Sequence, residues 1–130
     1  MMLTEKDYCD YDTCVALREI GCRIQTEWYI HQPSYERGSC HLCFGIPRET
    51  SVLDECDYIP RLSLYEAQKW LREAHNLHLE ITYSPSCWTG KIYDLKKWDY
   101  IKGFTFFESF KETLHTLIKE AVKILKENKS

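Results

Sequence analysis

The side chains with the clearest capacity for chemistry sit in GSCHLCFGI, residues 38–46, where Cys40 and Cys43 are three apart with His41 between them. Thiolates and imidazoles are preferred zinc ligands, but a strong zinc signature needs two ligand pairs at knuckle spacing. This chain has a single CxxC. Knuckles are tight turns, and Gly45 is slim support for one. A redox pair needs its CxxC at a helix start, and the following FGIPRE begins no helix. The period argues further. Cys40, Leu42, Phe44 and Ile46 alternate with His41, Cys43 and Gly45, as in a strand. Residues three apart in a strand point to opposite faces, so Cys40 and Cys43 could share neither a metal ion nor a disulfide. Cys40 is then expected in the core beside Leu42 and Phe44.

The strand reading offers a different cluster. RIQTEWYIHQ, residues 23–32, also alternates, with Ile24, Thr26, Trp28 and Ile30 against Gln25, Glu27, Tyr29 and His31. The turn signal PSYERG separates the two stretches. A hairpin that sets Trp28 opposite Phe44 and Ile30 opposite Leu42 gives good inner-face pairs. The same register sets His31 opposite His41 and Tyr29 opposite Cys43. His31, His41 and Cys43 would then gather on the outer face, a candidate zinc site. The alternative is an ordinary surface cluster of two histidines and a thiol.

Other groups carry less. KKWDYIKGF, residues 96–104, interleaves Lys96, Lys97 and Lys102 with aromatics such as Trp98, as single-strand nucleic-acid binders do. Asp99 and the overall acidity count against that use. Asp7, Asp10 and Asp12 lie close together near the N-terminus, and helix capping accounts for them better than paired-carboxylate catalysis. No G-x-S-x-G, P-loop, G-x-G-x-x-G or H-E-x-x-H is present, so no cofactor or catalytic residue is assigned. Seven cysteines and five histidines allow many Cys–His pairs, which makes any one of them uninformative.

The elements that must position these groups follow from local signals. Asp12 as N-cap and Gly21 as C′ residue bracket a first helix with Cys14, Leu17 and Ile20 on its apolar stripe. Thr4 suits the cap of a preceding turn. The irregular residues 47–60 hold a short strand or only a loop. Ser63 and Glu66 form a capping box ahead of a second helix striped by Leu64, Ala67, Leu71 and Ala74, with Trp70 at the edge and Asn76 as C-terminal cap. LHLEITY, residues 77–83, alternates strictly, with Leu77, Leu79, Ile81 and Tyr83 inward. SPSCWTG then reads as a turn containing Gly90, KIYDL as a return strand and WDYIKGFTF as a further extended segment. Ser109 and Glu112 open the last helix, whose broad stripe runs Phe107, Phe110, Leu114, Leu117, Ile118, Ala121, Val122 and Leu125. Such a helix needs a sheet to lie on.

The 130 residues suggest one domain, 1–130, with core enough to fold without staples. An odd cysteine count and no apolar signal core point to reduced thiols and a cytoplasmic setting. No run of about 18 apolar residues exists, so no membrane partner is expected. The formal net charge of −3 gives no bulk attraction for nucleic acid. The aromatic share, 14%, is high enough that some rings must reach the surface, where they suit a partner.

Three passages, TEKDYCDYDTCVALREIGC, LSLYEAQKWLREAHNLHLEI and ESFKETLHTLIKEAVKIL, resemble a set of small uncharacterised proteins of gut bacteria that occur with phage or other mobile elements. The familiar residues, Asp12, Cys14, Leu17, Ala67, Trp70 and Leu71, are caps and stripe positions. The resemblance therefore implies a setting, an intracellular accessory protein, and no mechanism; it does not extend to the CHLC hairpin. The expected architecture is α+β in two layers, an antiparallel sheet of about four strands with three helices in the order αββαββα. The expected role is a non-catalytic module that binds another protein, with zinc binding by His31, His41 and Cys43 as the alternative. A Cys–His or carboxylate enzyme and a nucleic-acid binder stand behind these.

Overall fold

Among the described residues, two three-stranded antiparallel sheets stand where one sheet of about four strands is expected. The computed structural model describes residues 3–26, 28–31, 41–44, 58–83 and 85–128. These fall into two compact units, Asp10–Leu62 and Met1–Cys9 with Ser63–Ser130. The class is α+β, as expected.

The Asp10–Leu62 unit starts with helix α1, Tyr11–Glu19. Its N-cap is Asp10, which accepts from Thr13 N at 2.8 Å, and not Asp12, which is exposed in the first turn. The shift of two residues follows from Thr13: its amide is the N3 donor that Asp10, but not Asp12, can reach. The helix ends in a Schellman motif. Gly21, at φ = 103°, donates to Arg18 O, and Cys22 donates to Leu17 O. Cys14, Leu17 and Ile20 are buried, as their spacing predicts. Strand β1, Trp28–His31, is flanked by β2, His41–Phe44, and β3, Tyr58–Pro60. The expected first strand over residues 23–32 is thus shorter. Residues 23–26 are irregular, and the PSYERG turn and Cys40 lie outside the described residues.

The β1–β2 register is the expected one: Trp28↔Phe44, Tyr29↔Cys43, Ile30↔Leu42, His31↔His41. The third strand occupies β1's other edge through Tyr29↔Pro60, Ile30↔Ile59 and His31↔Tyr58. It is too short to be read from its own periodicity. The later strands form the other sheet. Facing departs from expectation. Ile30 and Ile59 are buried and so is Tyr29, whereas Trp28 and Leu42 are 41% and 48% exposed. A small sheet covers best around the middle of its central strand; a strand end and an edge strand stay open.

The second unit begins with a short 3₁₀ turn, Glu5–Asp7, and a single bridge from Tyr8 to Ser63. Helix α2, Leu64–His75, carries the expected capping box. Glu66 N donates to Ser63 Oγ and Ser63 N to Glu66 Oε1. Asn76 closes it in the left-handed conformation, φ = 57°. Leu64, Ala67 and Leu71 are buried, while Ala74, expected on the stripe, is exposed at the last turn. Strands β4, Leu77–Tyr83, β5, Trp88–Asp94, and β6, Asp99–Phe107, form the sheet in the order β4-β5-β6. Helix α3, Phe110–Asn128, packs on all three strands, and α2 packs on β4 and α3. Leu114, Leu117, Ile118, Ala121 and Val122 are buried there against Leu77, Leu79 and Ile92. Tyr83 is 60% exposed at the strand end, against expectation. Gly90 is not a turn residue but lies inside β5, where an added Cβ would sit 2.8 Å from Leu117 Cδ1. The absent side chain lets helix and sheet approach closely.

No helix among the described residues is long and apolar enough to cross a membrane.

Candidate functional site

Since α2 and α3 contact each other and both pack on β4, they take the Leu79–Ile92 side of the second sheet. The opposite side carries His78, Glu80 and Thr82 from β4, Thr89, Lys91 and Tyr93 from β5, and Tyr100 and Gly103 from β6. Alternation places them: each is one residue removed from a helix-facing neighbour such as Leu77, Leu79, Ile92 or Gly90. These side chains are half-buried or exposed.

A β-bulge sets the composition of this face. Ile92 pairs with Lys102, but the next pair is Tyr93↔Tyr100, so Ile101 is an extra residue. Tyr100 and Lys102, two apart in sequence, therefore point to opposite sides. Lys102 goes to the helix side, 3.2 Å from Glu120 Oε2 and 5.5 Å from the Phe104 ring centroid. Tyr100 goes to the open side. There its ring meets Tyr93 edge-on at 5.8 Å, and its hydroxyl lies 2.5 Å from where a Cβ on Gly103 would be. The expected set Lys96, Lys97, Trp98 and Lys102 is thus divided. Lys96 and Lys97 stay with Trp98 in the β5–β6 turn, and Lys102 leaves it.

That turn, residues 95–98, is built on Asp94. Its Oδ1 accepts from Lys96 N at 2.9 Å and Lys97 N at 3.3 Å, a side-chain mimic of a backbone turn. Leu95 N donates to Asn76 O at 2.8 Å and ties the turn to the start of β4. Trp98 closes it at φ = 59° and is 84% exposed. A left-handed conformation costs a non-glycine residue about 1–2 kcal/mol, and the exposed indole recovers little of that by burial. Under the turn is a concavity of about 270 Å³ lined by His78, Glu80, Tyr93, Asp94, Leu95 and Trp98. It has aromatic and aliphatic walls, two carboxylates and one imidazole. Its lining residues bring acidic, imidazole and phenol groups to an aromatic and aliphatic hollow, groups that can bind a ligand.

The acidic residues near the N-terminus do separate jobs. Asp10 caps α1, and Asp7 is buried in a polar knot. Asp7 Oδ2 accepts from Thr4 N at 2.8 Å and from the Thr4 hydroxyl; Oδ1 accepts from the Tyr65 hydroxyl and lies 3.0 Å from Lys111 Nζ. The Thr4 amide first, then Lys111, hold the Asp7 carboxyl well below the usual carboxylate range. Burial first, then the hydrogen bond to Asp7, push the Tyr65 phenol up. The knot joins the N-terminal turn to α2 and α3. The sequence showed the cap motif but not this use, because Tyr65 and Lys111 are 58 and 104 positions beyond Asp7.

For the zinc candidate, the backbone sets position 31 opposite 41 and position 29 opposite 43. The side chains of His31, His41 and Cys43 lie outside the described ones. Cys9, Cys14 and Cys22 are buried thiols, as small hydrophobes are.

No family model matches the chain, and no curated protein or solved structure matches it.

Proposed function

We propose that this chain is a non-catalytic protein-interaction module, an accessory protein of the cytoplasm, whose contact surface is the open side of the β4-β5-β6 sheet. The observation that carries the reading is Trp98. A tryptophan held in a costly left-handed turn with 84% of its surface in water has no packing role that explains it. Tryptophan and tyrosine dominate binding energy at protein interfaces, and Tyr93 and Tyr100 stand beside it on the same face. The test is site-directed photo-cross-linking in cell extract with a benzophenone amino acid at Tyr100 or, as a control on the exposed side of α3, at Lys123. A heteromeric adduct should form from position 100, be absent from position 123 and disappear in Trp98→Ala. Equal adducts from both positions refute the reading.

The β1–β2 register supports one second reading, zinc binding by His31, His41 and Cys43. Positions 31 and 41 are directly opposed, about 4.5–5.5 Å apart at the backbone, and position 43 lies two residues along β2 from 41, on the same face. Elemental analysis of tag-free protein should then find one zinc per chain, lost in His41→Ala; substoichiometric zinc ends this reading.

A further inference from the structure

The chemistry of the concavity beneath Trp98 points to the group that it takes. Resting on the interaction-module reading, we infer that it is a subsite for an alkylammonium group, presented on a lysine side chain of the protein partner. Tyr93, Leu95 and Trp98 are among its lining residues, and the Tyr100 ring meets Tyr93 edge-on at 5.8 Å. Aromatic faces carry negative quadrupole charge and attract organic cations, most strongly those with little hydration to lose. Glu80 and Asp94 add two carboxylates from the same lining. Asp94 commits Oδ1 to the turn amides, and Glu80 Oε1 accepts from the Thr82 hydroxyl at 3.3 Å. Both carboxylates are thereby oriented by their own strand and turn.

The same lining argues against other occupants. Anions would face two carboxylates. A bare metal ion needs converging ligands at about 2 Å, and among the described residues no three His, Cys, Asp or Glu side chains group closely enough to hold one. A volume of about 270 Å³ lies at the small end for ligand sites. It suits a head group on a stem better than a whole cofactor. Lys91, opposite Glu80, and Lys96 and Lys97 in the turn moderate the negative field. They favour a single positive charge over a polycation. The occupant is therefore one lysine ammonium, bare or methylated, with its aliphatic stem along Leu95 and the rings.

The experiment is an NMR titration of the full chain with two sets of probes. The small probes are choline and its neutral carbon isostere 3,3-dimethylbutan-1-ol. The peptide probes are one short peptide in lysine, trimethyl-lysine and acetyl-lysine forms. Choline should shift the amides of His78, Tyr93 and Trp98 saturably and bind about tenfold tighter than the isostere, the factor expected of a cation–π contact aided by charge. The lysine and trimethyl-lysine peptides should bind at the same amides, and acetylation should weaken binding by about tenfold or more. Glu80→Gln and Trp98→Ala should each weaken cation binding by about fivefold or more, and Trp98→Phe should retain most of it. Equal binding of choline and the isostere overturns the inference. So does choline binding without lysine-peptide binding, which would make the site one for a free small cation. If every cation fails while the adduct from position 100 persists, this inference falls and the interaction surface stands.

Discussion

Replacing Gly90 by alanine tests how tightly α3 lies on the second sheet. The new methyl carbon would sit 2.8–2.9 Å from three side-chain carbons of Leu117. Carbon–carbon contacts are optimal at about 3.5–4.0 Å, so helix and sheet must separate by more than half an ångström or Leu117 must leave its rotamer. Leu117 has nowhere easy to go, because it is fully buried with Leu114, Ile118 and Ala121 around it on the same helix face. Overpacking of this size costs about 1–3 kcal/mol. Losing glycine's freedom in the unfolded chain returns about 0.4–1 kcal/mol. The net loss is about 1–2 kcal/mol, a fall in Tm of about 4–8 °C for a chain of this length. Urea and thermal unfolding of Gly90→Ala read it directly. The double-mutant cycle is the sharper assay. Leu117→Ala alone should cost about 2–5 kcal/mol, but it vacates the space that the new methyl needs. The double variant should therefore be more stable than the sum of the singles by about 1 kcal/mol or more. A Gly90→Ala protein as stable as the parent, or strict additivity in the cycle, would refute the close-approach argument.

Three further outcomes are expected. Asp7, with its folded-state acidity increased by Thr4 and Lys111, holds fewer protons folded than unfolded. Its stabilisation is present above the ordinary carboxylate value and lost as pH falls below about 4. Asp7→Asn should therefore be less stable at neutral pH and show a shallower decline in the acid limb; parallel acid limbs count against the knot. Trp98→Gly relieves the left-handed strain at the expense of backbone entropy, so stability should stay level or rise by up to about 1 kcal/mol. A loss of more than about 1 kcal/mol would show that the indole serves the fold. Ser63→Ala removes the hydroxyl that accepts from Glu66 N, while the bond from Ser63 N to Glu66 Oε1 keeps both partners; it should cost about 0.5–2 kcal/mol by urea unfolding, and Ser63→Gly less.

Much of this architecture is written locally. The Ser63–Glu66 box, the Asn76 cap, the bounds of β4 and the Leu114–Val122 part of the α3 stripe each depend on residues a few positions apart, whereas Phe107, expected on that stripe, ends β6 and Phe110 is exposed. The β1–β2 register also follows from the side chains that best pair across it. Where expectation departed from structure, the deciding contact was distant. Asp10 displaced Asp12 as a cap by a local margin of two residues, but Tyr58–Pro60 becomes a strand only because β1 offers it an edge. Gly90 looks like a turn residue until Leu117 is seen above it. The bulge at Ile101 leaves no mark in WDYIKGFTF, yet it sends Lys102 to Glu120 and Tyr100 to the open face.

By itself, then, the sequence determined the three helices, the strands with clear alternation, the centres of the buried helix stripes and the caps at Ser63 and Asn76. These properties are set by periodicity and by hydrogen bonds spanning three or four residues. Tertiary structure alone decided the division into two sheets, the Asp7 knot with Tyr65 and Lys111, and the meeting of His78, Glu80, Tyr93, Asp94, Leu95 and Trp98 in one concavity. Those depend on strand partners and bulges that join residues far apart in the chain, and no local pattern encodes which distant edge a strand will meet.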